Sequence, residues 1–130
     1  MQKIDSKNMK KIEKYLLLLC VLLLGSASLK AQNDYYIKQA ESYQREVEYY
    51  TNQMQRFERD VEYYTNEAKR SYNDAQYYFR QTKYDQAKSY YQKSRDYMSR
   101  ANDCSQKAKE ARNNINLYVR KIENAIQNIK

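Results

Sequence analysis

The sequence predicts an all-α fold: a long antiparallel two-helix hairpin of coiled-coil type, with its bend near Thr82–Asp85. Three observations predict it. Helix-breaking residues are almost missing, a 14-residue period runs through the first half of the chain beyond residue 32, and a single jump in heptad frame splits the remainder into two stretches of nearly equal length.

The 130 residues include one Gly and no Pro. Glycine costs backbone entropy in a helix, and proline removes a donor and clashes with the preceding turn, so their scarcity removes the usual punctuation of a compact fold with tight turns.

The first 31 residues differ in kind from the rest. Lys3, Lys7, Lys10, Lys11 and Lys14 form a basic head, Leu16 to Leu24 is an unbroken apolar run, and the small-residue stretch GSASLKAQ follows. This order predicts a signal peptide over residues 1–31, cleaved after Ala31. Tyr15 to Leu29 is a short stretch for a bilayer span, which takes ~20 residues. Cys20 follows Leu19, where a lipoprotein cysteine follows a small residue. The ending Ala31-Gln32 resembles signal peptides of Bacteroidota, and that resemblance implies a periplasmic or secreted protein. Six of the 24 Lys and Arg residues and two of the 16 Asp and Glu residues lie in this segment, so the net charge falls from +8 for the whole chain to +4 for residues 32–130. That mild basicity gives little support to nucleic-acid binding.

The predicted mature domain is residues 32–130, with arms at about 33–81 and 84–129. The first arm repeats every 14 residues: Tyr35-Tyr36, Tyr49-Tyr50, Tyr63-Tyr64 and Tyr77-Tyr78 are evenly spaced, and VEYYTN occurs at Val47 and again at Val61. Two heptads make 14 residues, which marks a helix repeat. Ala40, Val47, Met54, Val61, Ala68 and Ala75 fall at a, and Tyr36, Tyr43, Tyr50, Phe57, Tyr64, Ser71 and Tyr78 at d. The second arm carries Ala87, Ser94, Ala101, Ala108, Ile115, Ile122 and Ile129 at a, with Tyr90, Tyr97, Cys104, Ala111, Tyr118 and Ala125 at d.

Folding the chain back at residues 82–83 sets large residues against small ones, as in Tyr64–Ala101, Ala68–Tyr97, Ala75–Tyr90 and Tyr78–Ala87. Two helices at a fixed separation need this, because each layer must fill a similar volume. The same fold opposes Glu46 to Lys121, Asp60 to Lys107, Glu67 to Arg100 and Asp74 to Lys93 across the g edge, with no like-charge clash. Such pairs choose partner and orientation more than they stabilise. On the other edge Ile37 faces Ile126 and Tyr72 faces Tyr91. The pattern serves equally for a hairpin closed within one chain and for two chains exchanging arms, so a homo-oligomer is one expectation.

Around the bend, Tyr78 to Ser94 reads YFRQTKYDQAKSYYQKS. With Tyr72 and Ala75 upstream and Tyr84, Ala87, Tyr90 and Tyr91 as packing residues, the segment Tyr72–Met98 resembles a single tetratricopeptide repeat. Thr82 stands where that family usually has Gly. The resemblance implies a helix–turn–helix that serves as a scaffold for protein partners.

No residue set points to catalysis. The chain has no His, which removes the commonest general base and metal ligand. It has no Gly-rich phosphate loop and no pair of Cys at metal spacing, so no catalytic residue, metal or cofactor is expected. Glu41, Glu48 and Glu62 fall on an outer face, and Cys104 falls at a d position opposite Val61, as a core residue or as the half of an intermolecular disulfide. Two rows could bind a partner: Tyr35, Tyr49, Tyr63 and Tyr77 at c positions, a rung every ~21 Å, and Lys88, Arg95, Lys109 and Lys130 at b positions of the other arm. The expected function is therefore that of an exported, non-enzymatic interaction protein, a scaffold or chaperone-like helper for other envelope proteins. The alternatives are a module binding an anionic polymer, either cell-wall glycan or nucleic acid, and a structural spacer formed by self-association.

Overall fold

A computed structural model describes residues 6–130 of the chain. Lys3 lies outside the described residues, as do the side chains of Lys7, Leu23 and Leu24. Two α-helices make up the fold, α1 (Ser6–Arg80) and α2 (Tyr84–Gln127), and among the described residues there is no strand. They pack antiparallel as a hairpin closed within one chain.

The bend falls where the frame jumps. Lys83 N–H donates to the Tyr78 carbonyl (3.0 Å) and Thr82 N–H to the Phe79 carbonyl (3.0 Å), the paired bonds of a Schellman cap. That cap needs a left-handed residue at its C′ position, and Thr82 supplies it at φ 59°. A β-branched residue is strained there, because its Cβ crowds the neighbouring carbonyl. The next helix starts immediately: the Lys83 carbonyl accepts from Ala87 N–H (3.0 Å), and Asp85 in the first turn sits favourably on the helix dipole. Replacing Thr82 by Gly is expected to raise stability by about 0.5–1 kcal/mol, the relieved strain outweighing the extra freedom of the unfolded chain. An unchanged or lower melting temperature for Thr82→Gly would refute the strain.

The seam matches the heptad frames. Every predicted a and d position is buried or half-buried. Those fully buried are the small residues Ala40, Ala68, Ser71, Ala75, Ala87, Ala101, Ala108, Ala111 and Ala125. Ala68, Ala75, Ala87 and Ala101 each share a layer with a ring, and rings of successive layers stack across the axis: Tyr78 on Tyr90 (5.2 Å), Tyr64 on Tyr97 (6.2 Å) and Tyr50 on Tyr118 (5.9 Å). The stacked Tyr90 phenol, with desolvation, pushes the Tyr78 hydroxyl above its ordinary value. Ser94 fixes the register further, its hydroxyl donating to the Ala68 carbonyl at 2.8 Å.

The g edge differs from its predicted form. Asp60–Lys107, Glu67–Arg100 and Asp74–Lys93 do not close as ion pairs. Instead Lys107 lies over the Phe57 ring (5.8 Å), Arg100 over Tyr64 (5.9 Å) and Tyr97 (6.0 Å), and Lys93 over Tyr90 (5.8 Å), while Glu67 holds Arg70 on its own helix (3.4 Å). An exposed ion pair gains little in water, whereas a long cationic side chain laid over a ring covers apolar surface and keeps its charge solvated. On the other edge Tyr72 meets Tyr91 edge-on (5.7 Å) as predicted, and Arg112 pairs with Glu58 (3.2 Å).

Helix α1 begins at Ser6, well before the predicted arm at about residue 33. Gly25 is the sole breaker in the intervening stretch, and neither Ser nor Ala stops a helix, so the segments join. α2 ends at Gln127, where Asn128 and Ile129 turn tightly onto Ala125 and Ile126 (3.1 and 3.0 Å).

By internal packing the chain divides into two compact units, one holding the chain up to Ser42 together with Lys121–Lys130, the other Tyr43–Arg120. In the first, the Asn33 side chain clamps the end of the second arm: its Nδ2 donates to the Lys130 carbonyl (2.8 Å) and its Oδ1 accepts from the Lys130 N–H (3.0 Å). Every described side chain from Asn8 to Gln32 is exposed, including the apolar run. An 18-residue window there has a mean hydropathy of 1.8, so this helix meets the length and composition needed to cross a membrane, which the shorter apolar run alone does not. The second unit carries the bend and most of the candidate surface.

Candidate functional site

In a helix of 3.6 residues per turn, c lies beside g and b lies beside e. The Tyr ladder therefore belongs to the g edge of the hairpin and the row Lys88, Arg95 and Lys109 to the e edge. The grooves confirm this. Tyr49 lines an open groove with Gln53, Lys107 and Asn114, whereas Lys109 lines another with Glu58, Val61 and Arg112. The two rows singled out in the sequence do not share a surface.

The ladder is regular. In the Tyr43–Arg120 unit Tyr49, Tyr63 and Tyr77 are 56%, 56% and 59% exposed. Each sits edge-on against the seam tyrosine that follows it, at 5.1, 5.2 and 5.3 Å. Tyr35, in the other unit, repeats the geometry with Tyr36 at 5.3 Å. Closely similar pairs at closely similar exposure mean that the ladder follows the seam, as a heptad pattern requires. The cations beside it are Lys93, Arg100 and Lys107, which the b row did not include. Their g positions were the available sign, since g adjoins c and faces the partner arm.

The e edge near the bend holds what sequence reasoning passed over. Phe79 and Tyr84 are 56% and 59% exposed and meet edge-on at 5.5 Å. Tyr72 and Met98 are also exposed, and Tyr72 rests on Tyr91. This places an apolar and aromatic patch beside Lys88 and Arg95, whose guanidinium is steadied by Gln92 (2.6 Å). The sign in the sequence was an e row, Tyr84, Tyr91 and Met98, richer in apolar residues than a solvated edge.

Among the described residues no group of His, Cys, Asp or Glu gathers at metal-binding spacing. Cys104 is a free, half-buried thiol, and Cys20 is exposed on the apolar segment. Comparison with protein-family models, with curated proteins and with solved structures finds no match to the chain.

Proposed function

We propose that the chain is an exported, non-enzymatic scaffold that holds a protein partner at the bend end of its hairpin. The observation that carries this reading is the patch of Tyr72, Phe79, Tyr84 and Met98, exposed beside Lys88 and Arg95 on one edge. Exposed apolar side chains gathered within a polar rim are where proteins bind one another, and aromatic residues supply most of the energy. The cations at its margin favour a partner segment carrying acidic side chains beside apolar ones. The resemblance of Tyr72–Met98 to a tetratricopeptide repeat supports a protein partner over a polymer.

Export rests on the basic head and apolar run, and on the fact that no described side chain before Asn33 buries itself against the second arm. Removal of residues 1–31 therefore takes no buried side chain from the hairpin among the described residues, while Asn33 and its clamp on Lys130 remain. A mature mass starting at Gln32 supports cleavage; an uncut chain in the membrane fraction would make the segment an anchor.

Fluorescence titration with an acidic, aromatic-rich peptide tests the patch, with its lysine-substituted counterpart as control. Phe79→Ser and Tyr84→Ser are each expected to weaken binding by about tenfold, and Lys88→Glu to do likewise. Tyr63→Ala, on the opposite edge, leaves it unchanged. Equal binding of both peptides overturns the reading. Preference for a polyanion, with steep loss as salt rises, replaces the protein partner by a glycan or nucleic acid.

A further inference from the structure

We propose that the Tyr-ladder face is a homodimer interface, on which a second copy of this chain docks face to face about a two-fold axis parallel to the helices. This goes beyond the partner reading above, which uses the opposite edge.

The face consists of four charge stripes, all within Tyr43–Arg120. The c row of α1 alternates aromatic and basic residues, Tyr49, Arg56, Tyr63, Arg70 and Tyr77. Its g row is acidic, with Asp60, Glu67 and Asp74. The g row of α2 is basic, with Lys93, Arg100 and Lys107, and its c row acidic, with Asp96, Asp103 and Glu110. The order across the face is thus positive, negative, positive, negative.

Symmetry then selects the docking. A two-fold axis parallel to the helices lays α1 of one copy on α2 of the other, so every stripe meets its opposite. An axis across the helices would lay α1 on α1 and the acidic g rows on each other, which like-charge repulsion forbids. The parallel axis also leaves every residue at its own height along the hairpin, so the internal register dictates the intermolecular one. Besides Tyr77–Ser89, which brings no charges together, the facing c pairs become Arg56–Glu110, Arg70–Asp96, Tyr63–Asp103 and Tyr49–Leu117. Two are opposite charges, one sets a phenol hydroxyl against a carboxylate, and the last covers two large side chains, Tyr49 and Leu117, that are 56% and 46% exposed in the single chain. Arg56, Asp103 and Glu110 are likewise exposed.

Disulfide trapping of the full-length chain in cells tests the arrangement. In a Cys20→Ser and Cys104→Ser background, Tyr63→Cys together with Asp103→Cys is expected to give a covalent dimer. The two positions lie on different helices and both point away from the seam, so the trap reads contact between copies. Lys109→Cys, on the opposite edge, gives none. Arg56→Glu is expected to weaken dimerisation by about tenfold or more, and Arg56→Glu with Glu110→Arg to restore it, while helical circular dichroism stays constant throughout. No trapped dimer above the Lys109→Cys level, or failure of the double reversal to restore what Arg56→Glu loses, overturns the proposal. Neither outcome depends on whether Phe79 and Tyr84 bind a peptide.

Discussion

Replacing Ala75 by Leu is expected to open the bend half of the hairpin, at a cost of about 3 kcal/mol, the upper part of the range for forcing methylenes into a filled core. Ala75 is 0% exposed, and its layer is completed by Tyr90, whose ring is already committed to Tyr78 at 5.2 Å and to the Lys93 ammonium at 5.8 Å. A leucine cannot enter unless the Tyr90 ring leaves, and the ring cannot leave without breaking the stack one layer nearer the bend. A two-helix hairpin has no second layer through which to relax, since each helix buries only one stripe. Amide hydrogen exchange should therefore show protection lost around residues 68–94 and kept near the Asn33 clamp, because local opening follows contiguous packing units. Ala75→Ser, which adds one oxygen, is expected to cost far less. Equal effects of the two substitutions would show that the layer has spare volume and that small residues do not set the spacing of the arms.

Removing a ring is the converse experiment. Tyr97→Ala is expected to destabilise by about 2–3 kcal/mol, below the ~3–5 kcal/mol of a fully buried aromatic because Tyr97 is only half-buried. The ring stacks on Tyr64 at 6.2 Å, lies in the layer of the buried Ala68, and carries Arg100 over its face at 6.0 Å. Its loss leaves Ala68 facing a gap and Arg100 with one ring in place of two. Tyr97→Phe keeps the packing and removes only the hydroxyl, and is expected to stay within about 0.5 kcal/mol of the parent. Urea unfolding separates the two: the midpoint should fall for Tyr97→Ala with an unchanged slope, since the surface exposed on unfolding is nearly the same. A large effect of Tyr97→Phe would mean that the hydroxyl, not the ring, holds the layer.

Much of the fold was legible because helix packing is periodic. Ala68, Ala75 and Ala87 could be assigned to the seam from spacing alone, and opposing Tyr64 to Ala101 required only that layers have similar volume. The bend was legible from the frame jump taken together with the nearly equal length of the stretches on either side, since equal arms around one break are what a hairpin needs. What occupies the g edge was not. Charges of opposite sign at matching heights allow an ion pair, but they do not decide between an ion pair and a cation laid over a ring. Arg100 had Glu67 and two tyrosine faces within reach and took the faces.

The candidate site was half legible. The ladder Tyr49, Tyr63 and Tyr77 is exposed as its c positions imply, but Lys88, Arg95 and Lys109 lie across the hairpin from it, Lys88 and Arg95 toward the patch of Tyr72, Phe79, Tyr84 and Met98 and Lys109 farther along, beside Glu58 and Arg112. A row read along one helix carries no mark of which row on the other helix it adjoins until both are wound about the same seam.

By itself the sequence determined two helices, the place of the turn, and which residues meet at the seam, because these follow from periodicity and volume, which are properties of order along the chain. Only the tertiary structure decided that Thr82 turns the chain in a left-handed conformation, that Asn33 grips Lys130, and that the aromatic ladder and the basic row face opposite ways. Those depend on distances between residues far apart in sequence and on competition among several possible partners. Short-range order offers the choices, and packing makes the selection.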